Sequence, residues 1–401
     1  MRQHLRLIIT GFLIQLTTMS FGRFAYTLIL PDMMRSLELT TTKMGIIGMG
    51  IVLGYTVNSL LSGKLALVIG AEFTIKISIF ILSLSLFAMG LFSHFAILFA
   101  SSILLGAGAS GCYIPLISII NHHFIKKGKA FGVIMGGAGV GIMLCGYIIP
   151  PLIALSETNG YRISWCVLAL INLITLILSL IFLKPDRIQE DDKAEKDREK
   201  SIIHIFKGNI PLILTVIIYF LTGFSYIIYA TFFGAYSINE IGFSSRSTGM
   251  MWSCMGINTI YSGFVWGILS DKFNKLNVAV ILTAAIAFSI FIIVPFGLKT
   301  LFYVSTFLFG FSYMGYIIIN ASIISDEVHK KEMAKIYGAS TLIHGAGQVM
   351  GTSLGGLLKD ITHTFKVPLS ISFFIFLGCV FLFILLKKKL KDVKDNIPLQ
   401  L

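Results

Sequence analysis

Twelve apolar stretches recur along the 401-residue chain, and each is near or above the roughly 18 residues that a helix needs to cross a bilayer. They begin near Leu7, Met44, Phe73, Phe95, Ala130, Ile163, Asn209, Thr248, Leu276, Leu301, Ile336 and Pro368. Charged residues make up 13% of the chain, against about 25% in soluble domains. The sequence therefore predicts an all-α membrane protein with twelve transmembrane helices and excludes an ordinary soluble fold.

The positions of Lys and Arg predict the orientation of these helices, because short cytoplasmic loops carry the excess of positive charge. With a cytoplasmic N-terminus, 24 of the 32 basic residues lie on the cytoplasmic side, seven on the other, and Arg23 within the membrane. Both termini are then expected in the cytoplasm, with the helices in a bacterial inner membrane. This topology also accounts for the net charge of +13, so no nucleic-acid partner is needed to explain it.

A dense run of mixed charges divides the chain into two halves. We predict a first bundle of six helices at residues 1–183, a cytoplasmic linker at 184–207, a second bundle at 208–386 and a basic tail at 387–401. The halves look related, since an offset of 206 residues superimposes Gly132 on Gly338 and Gly139 on Gly345. Duplication of this kind is typical of secondary transporters, whose substrate site lies near the midplane between the repeats.

Arg23 lies in the middle of the first apolar stretch. A guanidinium at that depth costs about 2.5 to 17 kcal/mol depending on the scale, so intramembrane charges usually face a cavity. No Asp or Glu lies equally deep in the predicted spans. We therefore predict that Arg23 awaits an anion that is not always present, as a carrier of anionic solutes requires.

Two segments carry a resemblance to a known family that covers essentially the whole chain. The segment GILSDKFNK at 267–275 resembles the G-x-x-x-D-[RK]-x-x-[RK] signature of the major facilitator superfamily, matched at Gly267, Asp271, Lys272 and Lys275. The segment FGRFAYTLILP at 21–31 resembles the first span of the YbfB/YjiJ-like branch, which is related to monocarboxylate-type carriers. The resemblance implies two pseudo-symmetric six-helix bundles, with a gating loop at 267–275.

Other polar residues of the spans are candidates for contact with a substrate. Tyr26 lies three residues after Arg23, on the same face of an α-helix. An offset of 203 residues places Tyr226 opposite Arg23 and Tyr229 opposite Tyr26. Packing against neighbouring helices explains the presence of each tyrosine as well as contact with a substrate does. The remaining candidates are four amide side chains in the spans, Asn58, Asn258, Asn320 and Gln348. The alternative role of these amides is hydrogen bonding between neighbouring helices.

Two residues are candidates for coupling transport to protons. His344 lies one helical turn before Gln348, and no carboxylate lies deep in the membrane to compete for this role. Asp32 lies at the outer end of the first span. The alternatives are a histidine that is satisfied structurally and a carboxylate at a solvated helix end.

These observations together favour a monomeric secondary carrier that moves a small organic anion with protons. No G-x-x-x-x-G-K-[ST] loop for ATP and no Cys/His spacing for a metal occurs, so we expect neither cofactor nor metal. The alternative is an efflux carrier for amphipathic drugs or metabolites, favoured by the many aromatic and Met residues. A membrane-embedded enzyme is a second class of function, but the sequence shows no catalytic constellation for it.

Overall fold

A computed structural model describes residues 2–124, 127–183, 205–206, 209–329 and 332–395, and nearly all of them are helical. Spans 1 to 6 are Arg2–Met19 continued by Ser20–Phe24 and Tyr26–Leu37, Thr41–Ile69, Ala71–Leu91, Phe95–His123, Lys127–Ala154 and Gly160–Phe182. Spans 7 to 12 are Ile210–Ala235 continued by Tyr236–Glu240, Ser245–Lys272, Lys275–Phe291, Lys299–Asp326, Met333–Thr362 and Lys366–Asp395. The proposed linker falls almost wholly outside the described residues, so the domain boundaries stay predictions.

Within the described part of the chain, nine spans are by themselves long and apolar enough to cross a membrane. Span 9 is apolar but shorter, and spans 8 and 11 are long but more polar. Span 11 carries His344 and Gln348, whose exposed fractions are only 4% and 5%. A span that faces the protein interior can carry such groups, because lipid does not contact them.

Polar caps define where several spans begin. At the starts of spans 2, 7 and 8, the side chains of Thr40, Asn209 and Ser244 accept hydrogen bonds from backbone N–H groups three residues later, at 3.3, 3.0 and 3.2 Å. Asn274 accepts from the N–H of Leu276 at 2.9 Å as span 9 begins. The first N–H groups of a helix have no partner inside it, so such residues stabilise its first turn.

The two halves of the chain pack in the same way. In the first half span 4 contacts spans 2 and 3, span 6 contacts span 3, and span 5 contacts span 1. The equivalent contacts in the second half join span 10 to spans 8 and 9, span 12 to span 9, and span 11 to span 7. The halves meet where span 5 packs on span 8, span 11 on span 2, and span 7 on span 1. The chain thus forms two pseudo-symmetric six-helix bundles, as the sequence predicted.

We call the end of the molecule where span 6 ends and span 7 begins the linker end, and the opposite end the distal end. At the distal end a Cβ atom on Gly146 or Gly249 would collide with the backbone carbonyl of the other glycine, so spans 5 and 8 approach closely only because both lack side chains. At the linker end, no described atom lies within 4 Å of a Cβ placed on Gly132, Gly267 or Gly338.

Candidate functional site

Arg23 lies in a local irregularity of span 1. Residues Ser20–Phe24 form a π-helical turn, in which the N–H of Ala25 donates to the carbonyl of Ser20 at 2.8 Å. The Ser20 hydroxyl donates to the carbonyl of Ala138 in span 5 at 2.8 Å and so anchors this turn to a neighbouring helix. Such turns are rare in proteins, and those that do occur often lie at functional sites. The π-helix was not predicted from the sequence, where Gly22 is the only local signal.

The guanidinium of Arg23 reaches across the interface between the bundles. Its Nη2 donates to the hydroxyl of Tyr226 and to Oε1 of Gln348, both at 2.5 Å. The Tyr226 hydroxyl in turn donates to the same Gln348 oxygen at 3.0 Å. Arg23 belongs to the first bundle, whereas Tyr226 in span 7 and Gln348 in span 11 belong to the second. We call this three-residue cluster the clasp.

The remaining surroundings of Arg23 are neutral. Its Cζ lies 4.8 Å from the ring centroid of Tyr55 in span 2 and 5.8 Å from that of Phe24, which is cation–π geometry. Its Nε is buried and has no hydrogen-bond partner among the described residues. No ion pair of the described residues includes Arg23. The cation is therefore solvated by oxygens and rings and not by a carboxylate.

His344 lies beside the clasp with both ring nitrogens in contact with polar groups. Its Nδ1 lies 2.7 Å from the carbonyl oxygen of Tyr219, which can only accept, so Nδ1 carries a proton. Its Nε2 lies 3.4 Å from the hydroxyl of Tyr313 in span 10. In the neutral ring Nε2 is therefore the nitrogen that can take up a second proton.

A row of stacked rings connects this histidine to the clasp. His344 stacks on Tyr219 with ring centroids 4.0 Å apart, and it lies parallel to Tyr226 at 5.8 Å. Tyr226 stacks on Tyr313 at 4.1 Å. Sequence reasoning did not select Tyr55, Tyr219 or Tyr313, because an aromatic residue in a span has no local feature that separates a site residue from a packing residue.

Tyr26 and Tyr229, two predicted substrate contacts, do not belong to the clasp and make other contacts. Tyr26 donates its hydroxyl to the carbonyl of Met44 at 2.6 Å, although with Arg23 it also lines a small cavity between spans 1, 2 and 7. The Tyr229 hydroxyl lies 2.8 Å from that of Ser305, and its ring stacks on Phe309 at 4.1 Å, inside the second bundle. A substrate role for either residue stays a prediction.

The three candidate asparagines lie outside the clasp. Asn58 donates to the carbonyl of Ala107 at 2.7 Å and so ties span 2 to span 4. Asn258 donates to the carbonyl of Cys254 in its own helix at 2.7 Å. Asn320 is fully buried, and neither polar atom of its amide has a hydrogen-bond partner in the described part of the chain.

Asp32 caps a helix start at the distal end. Its exposed fraction is 4%, it pairs with Arg35, and it accepts a hydrogen bond from the N–H of Tyr161 at 2.8 Å, in the first turn of span 6. Glu240 makes the related contact in the second bundle, where it accepts from the N–H of Phe365 at 2.6 Å just before span 12. The two carboxylates thus make the same kind of contact in the two halves.

The predicted gating loop lies at the linker end of span 8. Lys275 pairs with Asp326 at the end of span 10, with Nζ to Oδ2 at 2.7 Å, while Lys272 is exposed. The side chain of Asp271 is outside the described part of the structure. A gating role for Gly267, Asp271, Lys272 and Lys275 stays a prediction.

Two six-helix bundles with a polar cluster between them are the architecture of a secondary transporter. A family model described as "Uncharacterised MFS-type transporter YbfB" matches residues 15–383. The chain therefore belongs to this family of major facilitator superfamily transporters, which confirms the resemblance seen at residues 21–31.

Characterised proteins and a solved structure are similar to this chain. The hexuronate transporter of Bacillus subtilis (strain 168) is 25% identical over 367 residues, covering 86% of this chain and 85% of that protein. Monocarboxylate transporter 12 of Xenopus laevis is 24% identical over 326 residues, covering 73% and 69%. The crystal structure of nucleoside transporter NupG superimposes with a TM-score of 0.76 at 17% identity, covering 97% of this chain and 100% of that chain. That last similarity confirms the fold.

Proposed function

We propose that this protein is a secondary carrier that moves a small organic anion across a bacterial inner membrane by alternating access, coupled to protons. The observation that carries the proposal is the Arg23 guanidinium, which lies between the two bundles with only neutral partners among the described residues. A cation in a low-dielectric interior binds a carboxylate strongly, because each charge offsets the desolvation of the other. The two relatives named above support this class of substrate, since hexuronates and monocarboxylates both carry a carboxylate.

The surroundings of Arg23 suit the rest of such a molecule. The face of Tyr55 and the stacked pair of Tyr226 and Tyr313 offer flat apolar surfaces beside hydroxyl groups. Rings of this kind pack against a carbon skeleton, and their hydroxyls can bond to polar substituents. The substrate in this proposal is therefore a carboxylate with a compact ring or chain of a few carbons.

His344 is the group through which we propose that protons are coupled. It lies next to Tyr226, which contacts Arg23, so protonation at Nε2 would place a second positive charge close to the first. A bound carboxylate would offset that repulsion, and each ligand would then favour the other. Asp32, the other candidate, already caps span 6 and pairs with Arg35, so His344 is preferred.

The orientation of the carrier in the membrane, its conformational state and its oligomeric state complete the proposal. With both termini in the cytoplasm, the linker end faces inward, and the open space beside Gly132, Gly267 and Gly338 at that end favours an inward-facing state. The bundles of one chain supply every group of the clasp, so a monomer is sufficient for transport.

Uptake into proteoliposomes tests the proposal directly. The purified carrier should accumulate labelled glucuronate or lactate under an inward proton gradient, and glucuronamide, which has a neutral amide in place of the carboxylate, should not compete. Uptake that glucuronamide inhibits as well as glucuronate does would remove the carboxylate, and with it Arg23, from recognition.

The efflux of amphipathic compounds is a second candidate, supported by the row of stacked rings beside the clasp. Aromatic surfaces accept varied apolar molecules because they contribute area without demanding hydrogen-bond partners. A thermal-shift screen separates the two functions, since a ligand that prefers the folded state raises its apparent stability. Stabilisation by organic acids supports the anion carrier, and stabilisation only by cationic drugs supports efflux.

A further inference from the structure

The clasp leaves Arg23 without a free edge for a carboxylate. Nη2 has two hydrogens, and the two acceptors at 2.5 Å, Tyr226 Oη and Gln348 Oε1, account for both. A guanidinium holds a carboxylate by two parallel N–H groups, either Nη1 with Nη2 or Nε with Nη2. Both arrangements need a hydrogen of Nη2. An incoming carboxylate therefore has to displace Tyr226 or Gln348 before it can bind in this manner.

The acceptors also imitate the ligand that they exclude. The Gln348 oxygen receives hydrogen bonds from both Arg23 and Tyr226, at 2.5 and 3.0 Å, as one oxygen of a bound carboxylate would. It carries no formal charge, so it solvates the cation less well than a carboxylate does. The buried Nε that lacks a partner among the described residues shows that this solvation is incomplete.

The clasp joins the bundles that must move against each other. Arg23 is in span 1, and both acceptors are in the second bundle, so the contact holds the bundles together at the centre of the interface. A carrier that has released its substrate has to pass through a closed state to return, and an unpaired guanidinium in that state would be costly. Neutral acceptors from the opposite bundle reduce that cost without a substrate.

We propose that Tyr226 and Gln348 are place-holders that occupy the carboxylate position in the empty carrier and allow it to reorient without cargo. This inference rests on the proposed function and assigns the protein to net transport of the anion, as opposed to obligatory exchange. Removing a place-holder uncovers Arg23, so the empty carrier reorients slowly while the loaded carrier, in which the substrate neutralises Arg23, is affected less. The place-holder role and direct substrate binding by Gln348 therefore predict opposite changes in affinity for the carboxylate when the Gln348 amide is removed.

The test compares two rates in proteoliposomes for Gln348→Leu and Tyr226→Phe. Net uptake of labelled glucuronate or lactate is measured into empty vesicles, and exchange is measured into vesicles loaded with the same unlabelled compound. The ratio of net uptake to exchange should fall about tenfold in both variants, the effect expected from losing a hydrogen bond to a charged group. Tyr316→Phe is the matched control, because the Tyr316 hydroxyl contacts Thr222 at 2.8 Å inside the second bundle, and its ratio should stay at the wild-type value.

Affinity for the same carboxylate, measured by thermal shift on the purified variants, gives the second readout. It should rise in Gln348→Leu, because the ligand no longer competes with the amide for Nη2. A lower affinity, or an unchanged ratio of net uptake to exchange in both variants, overturns the place-holder role and returns Gln348 to ordinary substrate binding. Wild-type protein that neither binds nor moves any carboxylate overturns the proposed function itself, which is a distinguishable result.

Discussion

Removal of the Asp360 carboxylate should loosen the distal end of the interface between the bundles. Asp360 lies in the last turn of span 11, and its carboxylate contacts the first turn of span 2 in the other bundle. Oδ1 accepts from the N–H of Thr41 at 3.2 Å, and Oδ2 accepts from the N–H and the hydroxyl of Thr42 at 2.7 and 2.6 Å. In the proposed alternating-access cycle, these contacts break each time the distal end opens.

The size of the effect depends on the kind of contact. Capping a helix start contributes about 1 kcal/mol, and a carboxylate near a helix N-terminus adds about 0.3–1 kcal/mol. The bond to the Thr42 hydroxyl adds less than a buried charged bond, because the side chain of Asp360 is 26% exposed and solvent screens it. The total of about 2 kcal/mol corresponds to a shift of about 30-fold toward the distal-open state in Asp360→Ala.

Thiol labelling in intact cells measures this shift. Thr352 is fully buried in the distal part of the interface, so a Thr352→Cys variant reports opening through its reaction with a membrane-impermeant reagent. The native Cys166 and Cys254, which are only partly buried, are first replaced by Ser. Labelling should become faster by up to about 30-fold in the Asp360→Ala background.

The control for this experiment is Glu240→Gln, since the Glu240 carboxylate caps the start of span 12 within a single bundle. That variant should lose thermal stability, while the thiol introduced by Thr352→Cys should be labelled no faster than before. Equal labelling rates with and without the Asp360 carboxylate would refute the role of this contact in holding the distal end closed.

Arg23→Lys keeps the positive charge but loses the two parallel N–H groups of the guanidinium, so its affinity for a carboxylate should fall about tenfold. Arg23→Gln should lose transport almost completely, and normal substrate affinity in a well-folded Arg23→Gln protein would contradict the proposal of an anion carrier. His344→Gln should remove the acceleration of uptake by an inward proton gradient, measured as the ratio of uptake with and without the gradient, and an unchanged ratio would exclude His344. Asp32→Asn should lower the free energy of unfolding by about 1 kcal/mol through the weakened cap on Tyr161, with an unchanged pH profile of transport. Reporter fusions within residues 184–207 and after residue 387 should both report cytoplasm, and a periplasmic signal from either would reverse the orientation.

The twelve spans and their pairing in two halves could be predicted from the sequence, because lipid leaves a hydrophobic helix as the simplest solution for each apolar stretch. The duplication predicted more than the fold. The offset of 203 residues set Tyr226 opposite Arg23, and the structure joins these two side chains by a hydrogen bond at 2.5 Å. Pseudo-symmetry brings equivalent positions of spans 1 and 7 together at the interface, so two residues that one internal alignment set at equivalent positions are in contact in the structure.

The neighbours of Tyr26 could not be predicted as closely. α-Helical spacing set Tyr26 on the face of Arg23, and the two side chains do line the same small cavity between spans 1, 2 and 7. The Tyr26 hydroxyl, however, donates to the carbonyl of Met44 in span 2, whereas the Arg23 guanidinium reaches Tyr226 in the second bundle. Residues Ser20–Phe24 form a π-helical turn, so α-helical spacing does not determine which group each of these side chains meets. No feature of composition or periodicity marks where such a turn occurs, and a substrate role for Tyr26 therefore stays a prediction.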